Sequence, residues 1–151
     1  MSFQEKNIAV SLASFTLILG FYLITLYQMI QDGGLNSSGV FRLWGIVIVL
    51  SIIFTIVATI LTHIVSAIIQ AIKTGEEDPD IEDLKDERDN LIDLRGTKIT
   101  YFVSSIGVLL SMLTFAIGQP PLVMFTLLIF FGIVAQIIGD ISRLLLYRRG
   151  F

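Results

Sequence analysis

The chain has 151 residues, of which 54% are hydrophobic, and its formal net charge is −3. This composition excludes an ordinary soluble domain, and the lack of cysteine excludes disulfides, thiolate metal sites and thiol nucleophiles. Ten of the thirteen acidic residues fall within residues 73–98. The only sizeable polar surface is therefore acidic, and nucleic-acid binding is not expected.

The first apolar run, residues 8–30, carries no charge. A spanning helix needs about 20 apolar residues, and lipid offers the backbone no hydrogen-bond partners, so this run must cross the membrane as a helix. It exceeds the usual length of a signal-peptide core, and no A-x-A-like cleavage site follows it. We therefore expect a retained first span, followed by a polar turn over residues 31–39.

The second run, residues 43–72, is free of charge apart from the titratable His63. Small or polar side chains recur in it every four residues, at Ser51, Thr55, Thr59, His63 and Ala67. This spacing places them along one side of a helix, and polar groups at membrane depth usually face protein or water. The pattern predicts that His63 faces the interior of the bundle.

The segment between the second and third runs concentrates the charge. Asp78 and Pro79 are typical of an N-cap and a first helical residue, so we expect an acidic helix over about residues 79–98. This helix should continue directly into the third span. In one interpretation it is a solvated face that keeps this end of the protein soluble. In the other it is a docking surface for a basic partner, or a packing element beneath the bundle.

The third and fourth runs, residues 99–117 and 121–147, are separated by Gly118, Gln119 and two prolines. Because proline cannot continue a helix and glycine weakens one, this segment predicts a turn between two further spans. The apolar runs therefore predict four membrane-spanning helices.

A second polar stripe lies on the fourth run, where Gly132, Gln136 and Asp140 recur every four residues. Stripes on the second and fourth spans predict an intramembrane polar cluster, whose candidate members are His63, Asp140, Gln136, Thr59 and Arg143. In one interpretation these groups only pack helices together. In the other, His63 lies near Asp140 or Gln136, and a pair between His63 and Asp140 forms a proton-sensitive element.

The basic residues are distributed unevenly about the four spans. Nine of the ten Lys and Arg residues precede the first run, lie between the second and third runs or follow the fourth, whereas Arg42 lies on the other side. The positive-inside rule then places both termini and the 73–98 segment in the cytoplasm. The predicted fold is an all-α integral membrane four-helix bundle, a single domain over residues 1–151, whose third helix extends into the cytoplasm.

A distinctive motif precedes the third span, where Tyr101 begins the apolar part. It reads Asp86, Glu87, Arg88 and Asp89, then Ile92 and Arg95. The motif resembles the signature of a family of small four-span membrane proteins of bacteria and archaea whose function is unknown. The resemblance implies a location in the cytoplasmic (inner) membrane. Because some members are thought to sit near small DNA-binding regulators, it also implies a link to signalling or regulation, but no catalytic residue.

The motif also has a physical interpretation that is independent of the resemblance. Arg88 and Arg95 are two helical turns apart and share a face, while the acids lie on a neighbouring stripe. We predict that it clamps a helix end or a symmetry mate through charge-assisted hydrogen bonds. The candidate contact residues are Asp86, Glu87, Arg88, Asp89 and Arg95.

No phosphate-binding loop, nucleophile elbow or zinc motif occurs in the chain, so we expect no enzymatic activity, no cofactor and no metal. The leading hypothesis is a non-enzymatic protein of the inner membrane that contacts the lipid bilayer and, through the acidic helix of residues 79–98, either copies of itself, as a homo-oligomer, or another protein. The alternative is a small oligomeric transporter or channel, with the two polar stripes lining its path.

Overall fold

The computed structural model is all-α and contains four helices: α1 (Phe3–Gln31), α2 (Ser37–Thr74), α3 (Glu87–Ala116) and α4 (Pro121–Arg149). It describes residues 3–74 and 87–149, and within these ranges it does not describe the side chains of residues 3, 62, 63, 66, 69–71, 73 and 74. Each helix contains a described stretch that is long and apolar enough to cross a membrane. The predicted fold class, a four-helix membrane bundle, is confirmed.

Short turns reverse the chain between α1 and α2 and between α3 and α4. Gly33 and Gly118 adopt φ angles of 124° and 88° just after α1 and α3, a conformation that L side chains rarely adopt. Asn36 caps α2, because its side-chain oxygen accepts a hydrogen bond of 2.7 Å from the backbone N–H of Gly39. Pro121 suits the first position of α4, where a backbone N–H has no helical partner.

The helices alternate in direction, so both of these turns lie on one side of the bundle. We call this side the turn side. The opposite side, where α1 and α3 begin and α2 and α4 end, is the termini side. α4 packs along α3 on one flank and along α1 on the other, and α1 packs against α2. α2 reaches α4 over a short stretch that includes the rings of Phe41 and Phe125, whose centroids are 5.5 Å apart.

The buried apolar core lies where α1, α2 and α4 meet, toward the turn side. Its buried members are Ile18, Tyr22, Leu43, Val47 and Ile133. Tyr22 brings a polar hydroxyl into this core and donates a hydrogen bond of 2.6 Å to the backbone carbonyl of Thr126. Because the donor finds a partner across the helix interface, the core carries no unpaired hydroxyl at this position.

The interface between α3 and α4 is built on small residues. On α3 the buried positions are Ile92, Gly96, Gly107 and Ser111. Gly107 is required by this packing, since a methyl group in its place would overlap the side chain of Phe131. Small residues let membrane helices approach closely, so that backbone and side-chain atoms contact across the seam.

α3 is continuous from Glu87 to Ala116, with no break between the charged motif and the apolar part. Its rise of about 44 Å exceeds the hydrocarbon thickness of about 30 Å. α3 is therefore longer than such a layer is thick, and its charged first turns lie on the termini side. The predicted start of this helix near Pro79 lies outside the described residues.

Candidate functional site

Arg143, on the last part of α4, is the centre of a polar cluster between three helices. Its Nε donates to Asp93 Oδ1 at 3.0 Å, its Nη2 to Thr97 Oγ1 at 2.8 Å, and its Nη1 to Asp140 Oδ1 at 2.9 Å. The Arg143 side chain is 12% exposed and that of Asp140 is 4% exposed. Every nitrogen of this guanidinium thus has an acceptor, and two of its three acceptors are carboxylates.

Asp140 extends the cluster to α1. Its second carboxylate oxygen, Oδ2, accepts a hydrogen bond of 2.6 Å from Ser11 Oγ. Gln136, one turn earlier on α4, donates to Oδ1 at 3.2 Å. One buried carboxylate is therefore bonded to α1 through Ser11 and, through Arg143, to α3. Burying an unpaired charge costs free energy, so these partners are what allows the Asp140 carboxylate to be buried.

Two glycines make room for the cluster. A methyl group at Gly96 would overlap the Arg143 side chain, and one at Gly139 would overlap the hydroxyl of Thr100. Thr100 in turn donates to the backbone carbonyl of Gly96 at 3.1 Å. Gly96 of α3 therefore makes room for Arg143, and Gly139 of α4 makes room for Thr100 on the other side of the seam.

A second set of contacts lies further toward the termini side. The Tyr147 hydroxyl donates to Asp89 Oδ1 at 2.7 Å, and Arg88 Nη2 donates to the Tyr147 backbone carbonyl at 3.4 Å. Ile92 is fully buried between these contacts and the Arg143 cluster. The two sets together form what we call the clamp, which joins α1, α3 and α4. Its members are Ser11, Arg88, Asp89, Asp93, Thr97, Gln136, Asp140, Arg143 and Tyr147.

The predicted intramembrane cluster is assembled in part. Asp140, Gln136 and Arg143 lie together as described above. Thr59 does not join them, because it is exposed on α2 and donates back to the carbonyl of Thr55 in its own helix. α2 contacts α4 only over a short stretch, so its stripe is not brought against Asp140 in the described part. The side chain of His63 lies outside the described residues.

The predicted contact motif is divided between two sides of α3. Arg88 and Asp89 contact α4, whereas Glu87 and Arg95 are exposed. Asp86 lies outside the described residues. The motif thus contacts α4 within the same chain through Arg88 and Asp89.

Several members of the clamp were not identified from the sequence: Ser11, Asp93 as the partner of Arg143, Thr97 and Tyr147. A signal for the close helix pair does exist, since Gly96, Thr100 and Ser104 recur every four residues on α3. Such small residues at helical spacing are typical of membrane helix interfaces. No comparable signal marks Ser11, because its role depends on how α1 is rotated against α4.

The clamp offers little for a ligand or a metal. Among residues 3–74 and 87–149, no group of three His, Cys, Asp or Glu side chains lies close enough to hold a metal ion. An apolar groove of about 210 Å³ lies between α1 and α4 beside Tyr22 and Phe130. Its lining is almost wholly apolar, as expected of a surface that contacts lipid tails.

These observations define the protein as a four-helix membrane bundle with a buried ionic clamp at one end. No family model, no curated protein and no solved structure matches the chain.

Proposed function

We propose that the protein is a non-enzymatic component of the cytoplasmic membrane that acts through protein contacts, with a role in signalling or regulation. The contact element is the projection formed by the start of α3 and the end of α4. The observation that carries the proposal is a pair of exposed leucines on this projection. Leu91 is 51% exposed and Leu94 is 68% exposed, among charged neighbours.

The depth of these leucines makes their exposure informative. From Ala116 on the turn side, a rise of about 28 Å along α3 leads to Thr97, which nearly crosses a hydrocarbon layer of about 30 Å. Leu94 and Leu91 lie one to two turns beyond, at the level of Asp93 and Asp89. Exposed apolar side chains among charges are typical of contact surfaces rather than of lipid-facing ones.

The clamp supports this role because it holds the projection rigid. Asp93 and Arg143 join α3 to α4 at 3.0 Å, and Asp89 accepts the Tyr147 hydroxyl at 2.7 Å. The opposite side of α3, with Leu91 and Leu94, therefore stays on one fixed surface. A preorganised surface loses less conformational freedom when a partner binds.

The orientation of this projection rests on the charge distribution. In the sequence, nine of the ten Lys and Arg residues precede the first run, lie between the second and third runs or follow the fourth, so we assign the termini side to the cytoplasm. Reporter fusions at both termini and within the 31–42 segment test this assignment. Activity of a periplasmic reporter at either terminus would contradict it.

The transport hypothesis has less support. Thr55 and Thr59 are exposed on α2 and bonded to their own helix, while Gln136 and Asp140 are bonded to each other, with Ser11 of α1 on the same carboxylate. The two stripes therefore do not line a common path among the described side chains. Purified protein in liposomes should accordingly produce no proton or cation flux above that of empty liposomes.

In-cell photo-crosslinking tests the proposed function directly. A photoreactive phenylalanine analogue at Leu94 should yield a discrete protein adduct, because that side chain lies on the contact surface. The same analogue at Leu109, which is 60% exposed on the apolar part of α3, serves as the matched control. If position 94 gives no more protein adduct than position 109, the proposed contact function is wrong.

A further inference from the structure

The charged part of α3 carries acidic and basic side chains on different sides of the helix. Asp89 and Asp93 lie on the side that packs against α4, and both are bonded to that helix. Lys98 is two positions from the buried Gly96, which places it about 200° away around the helix. Among residues 3–74 and 87–149, α3 packs along α4 and along no other helix. The side centred on Lys98, which we call the outer face of α3, is therefore not covered by the described helices.

The outer face of α3 combines a positive charge with aromatic rings. Lys98 is exposed and has no hydrogen-bond or ion-pair partner within residues 3–74 and 87–149. One turn toward the turn side, Tyr101 is 71% exposed and Phe102 is 66% exposed. Residues three and four apart on a helix are neighbours, so both rings lie beside the lysine. Arg95, which is also exposed, lies one turn from Lys98 in the opposite direction. The face thus presents cations at one level and aromatic rings at the next.

The depth of Lys98 suits the level of lipid headgroups. From Ala116 on the turn side, the rise along α3 to Lys98 is about 27 Å, close to a hydrocarbon thickness of about 30 Å. A lysine near this boundary extends its apolar stem along the helix and places its ammonium group among the headgroups, where aromatic rings are also enriched. The described chain that follows the acidic residues 75–86 begins at Glu87, about 17 Å further out along α3.

We propose that the outer face of α3 binds an anionic phospholipid, and that Lys98 selects the charge of its headgroup. The Lys98 ammonium group donates to the lipid phosphate, Arg95 adds positive charge one turn further out, and an acyl chain lies along Tyr101 and Phe102. Charge complementarity favours an anionic lipid, because a zwitterionic headgroup already carries a cation of its own. The inference goes beyond the proposed function, since the exposed leucines of the contact surface lie further out along α3 and stay available to a protein.

Fluorescence quenching by brominated lipids tests this site locally. Trp44 is the single tryptophan of the chain, so Trp44→Phe combined with Phe102→Trp leaves one reporter, on the outer face of α3. The protein is reconstituted into vesicles of phosphatidylcholine and phosphatidylglycerol, with bromine on the acyl chains of one lipid or the other. We expect phosphatidylglycerol to quench more strongly, which corresponds to a several-fold preference for it at this face. Lys98→Gln should reduce that preference about fivefold, whereas Lys98→Arg should retain it.

Arg148→Gln is the matched control, since it removes another exposed positive charge, from the end of α4, and should leave the preference unchanged. Equal quenching by the two lipids would overturn the proposal. An equal loss of preference in Arg148→Gln would overturn it too, because it would indicate a diffuse surface charge instead of a site. Quenching by neither lipid would show that protein covers the outer face, and the lipid site would again be wrong. The contact function is tested separately, by the photo-crosslinking at position 94.

Discussion

The two helical hairpins of this protein are held together in different ways. α3 and α4 meet along a seam of small residues, closed at the termini side by the clamp around Arg143. α1 and α2 meet over bulky side chains toward the turn side, and further along α2 described apolar side chains such as Ile56, Leu61 and Ile68 are exposed. The α3–α4 hairpin is a specific, closely fitted pair. The α1–α2 hairpin leaves α2 largely available to lipid or to a partner.

The two hairpins also differ in the hydrogen-bond partners of their polar side chains. On α2 the hydroxyls of Ser51, Thr55 and Thr59 bond carbonyls one turn earlier in the same helix. On α4, Arg143 and Asp140 bond other helices as well, whereas the hydroxyls of Thr126 and Ser142 bond carbonyls of their own helix. A polar residue within an apolar helix therefore stabilises tertiary structure only where a second helix approaches closely. The following substitutions measure that contrast.

Substitution of Arg143 should have the largest effect. Arg143→Gln leaves Asp140 buried without its cation, and breaking one partner of a buried pair costs about 3–5 kcal/mol. The free energy of unfolding is measured by detergent titration, followed by circular dichroism. Arg148→Gln, at an exposed position on the same helix, is the control and should change stability by less than about 0.5 kcal/mol. Equal effects of the two substitutions would contradict a buried clamp.

Gly107→Ala tests the small-residue seam. The added methyl group would overlap Phe131 near its backbone, so the two helices must separate slightly. Overpacking of this kind costs about 1–3 kcal/mol. Gly132→Ala is the matched control, since a methyl group there has open space and improves helix propensity. The seam is not closely packed if the Gly107→Ala protein unfolds at the same detergent concentration as the control.

Tyr147→Phe tests the outer part of the clamp. The substitution removes the hydroxyl that donates to Asp89 at 2.7 Å and should cost about 1 kcal/mol. Tyr101→Phe, at a residue that is 71% exposed on α3, provides the control. A loss of stability for Tyr101→Phe as large as that for Tyr147→Phe would show that the effect does not come from the clamp.

The hydroxyl stripe of α2 should give the smallest effect. Thr55 and Thr59 are exposed and bonded within their own helix, so Thr55→Val combined with Thr59→Val should shift the free energy of unfolding by less than about 0.5 kcal/mol. A shift above about 1 kcal/mol would show that these hydroxyls contact another helix, and the contrast between the hairpins would then disappear.

The helices of this fold were predictable from the sequence because their determinants are local. Runs of apolar residues longer than a bilayer is thick must form helices, and Gly33 and Gly118 mark where two of them end. The contact of Arg143 with Asp140 was also within reach, since residues three apart on a helix are neighbours.

The remaining contacts of the clamp depend on how the helices are rotated and placed relative to one another. The four-residue spacing places Thr59 on one side of α2 and Gln136 on one side of α4. It does not indicate which neighbouring helix either side contacts. Gln136 faces Asp140, whereas Thr59 is exposed. Ser11 lies 129 positions from Asp140 in the sequence, and nothing in its own surroundings marks it as a donor to a buried carboxylate.

The most direct test of the clamp is a double-mutant cycle between Asp140 and Arg143, built from Asp140→Asn, Arg143→Gln and the double substitution. If the two side chains form a buried pair, their effects on the free energy of unfolding should be non-additive by about 1–3 kcal/mol. The same cycle between Asp140 and the exposed Arg148 should be additive within about 0.5 kcal/mol. Additive effects in both cycles would contradict the clamp and, with it, the distinction between the two hairpins.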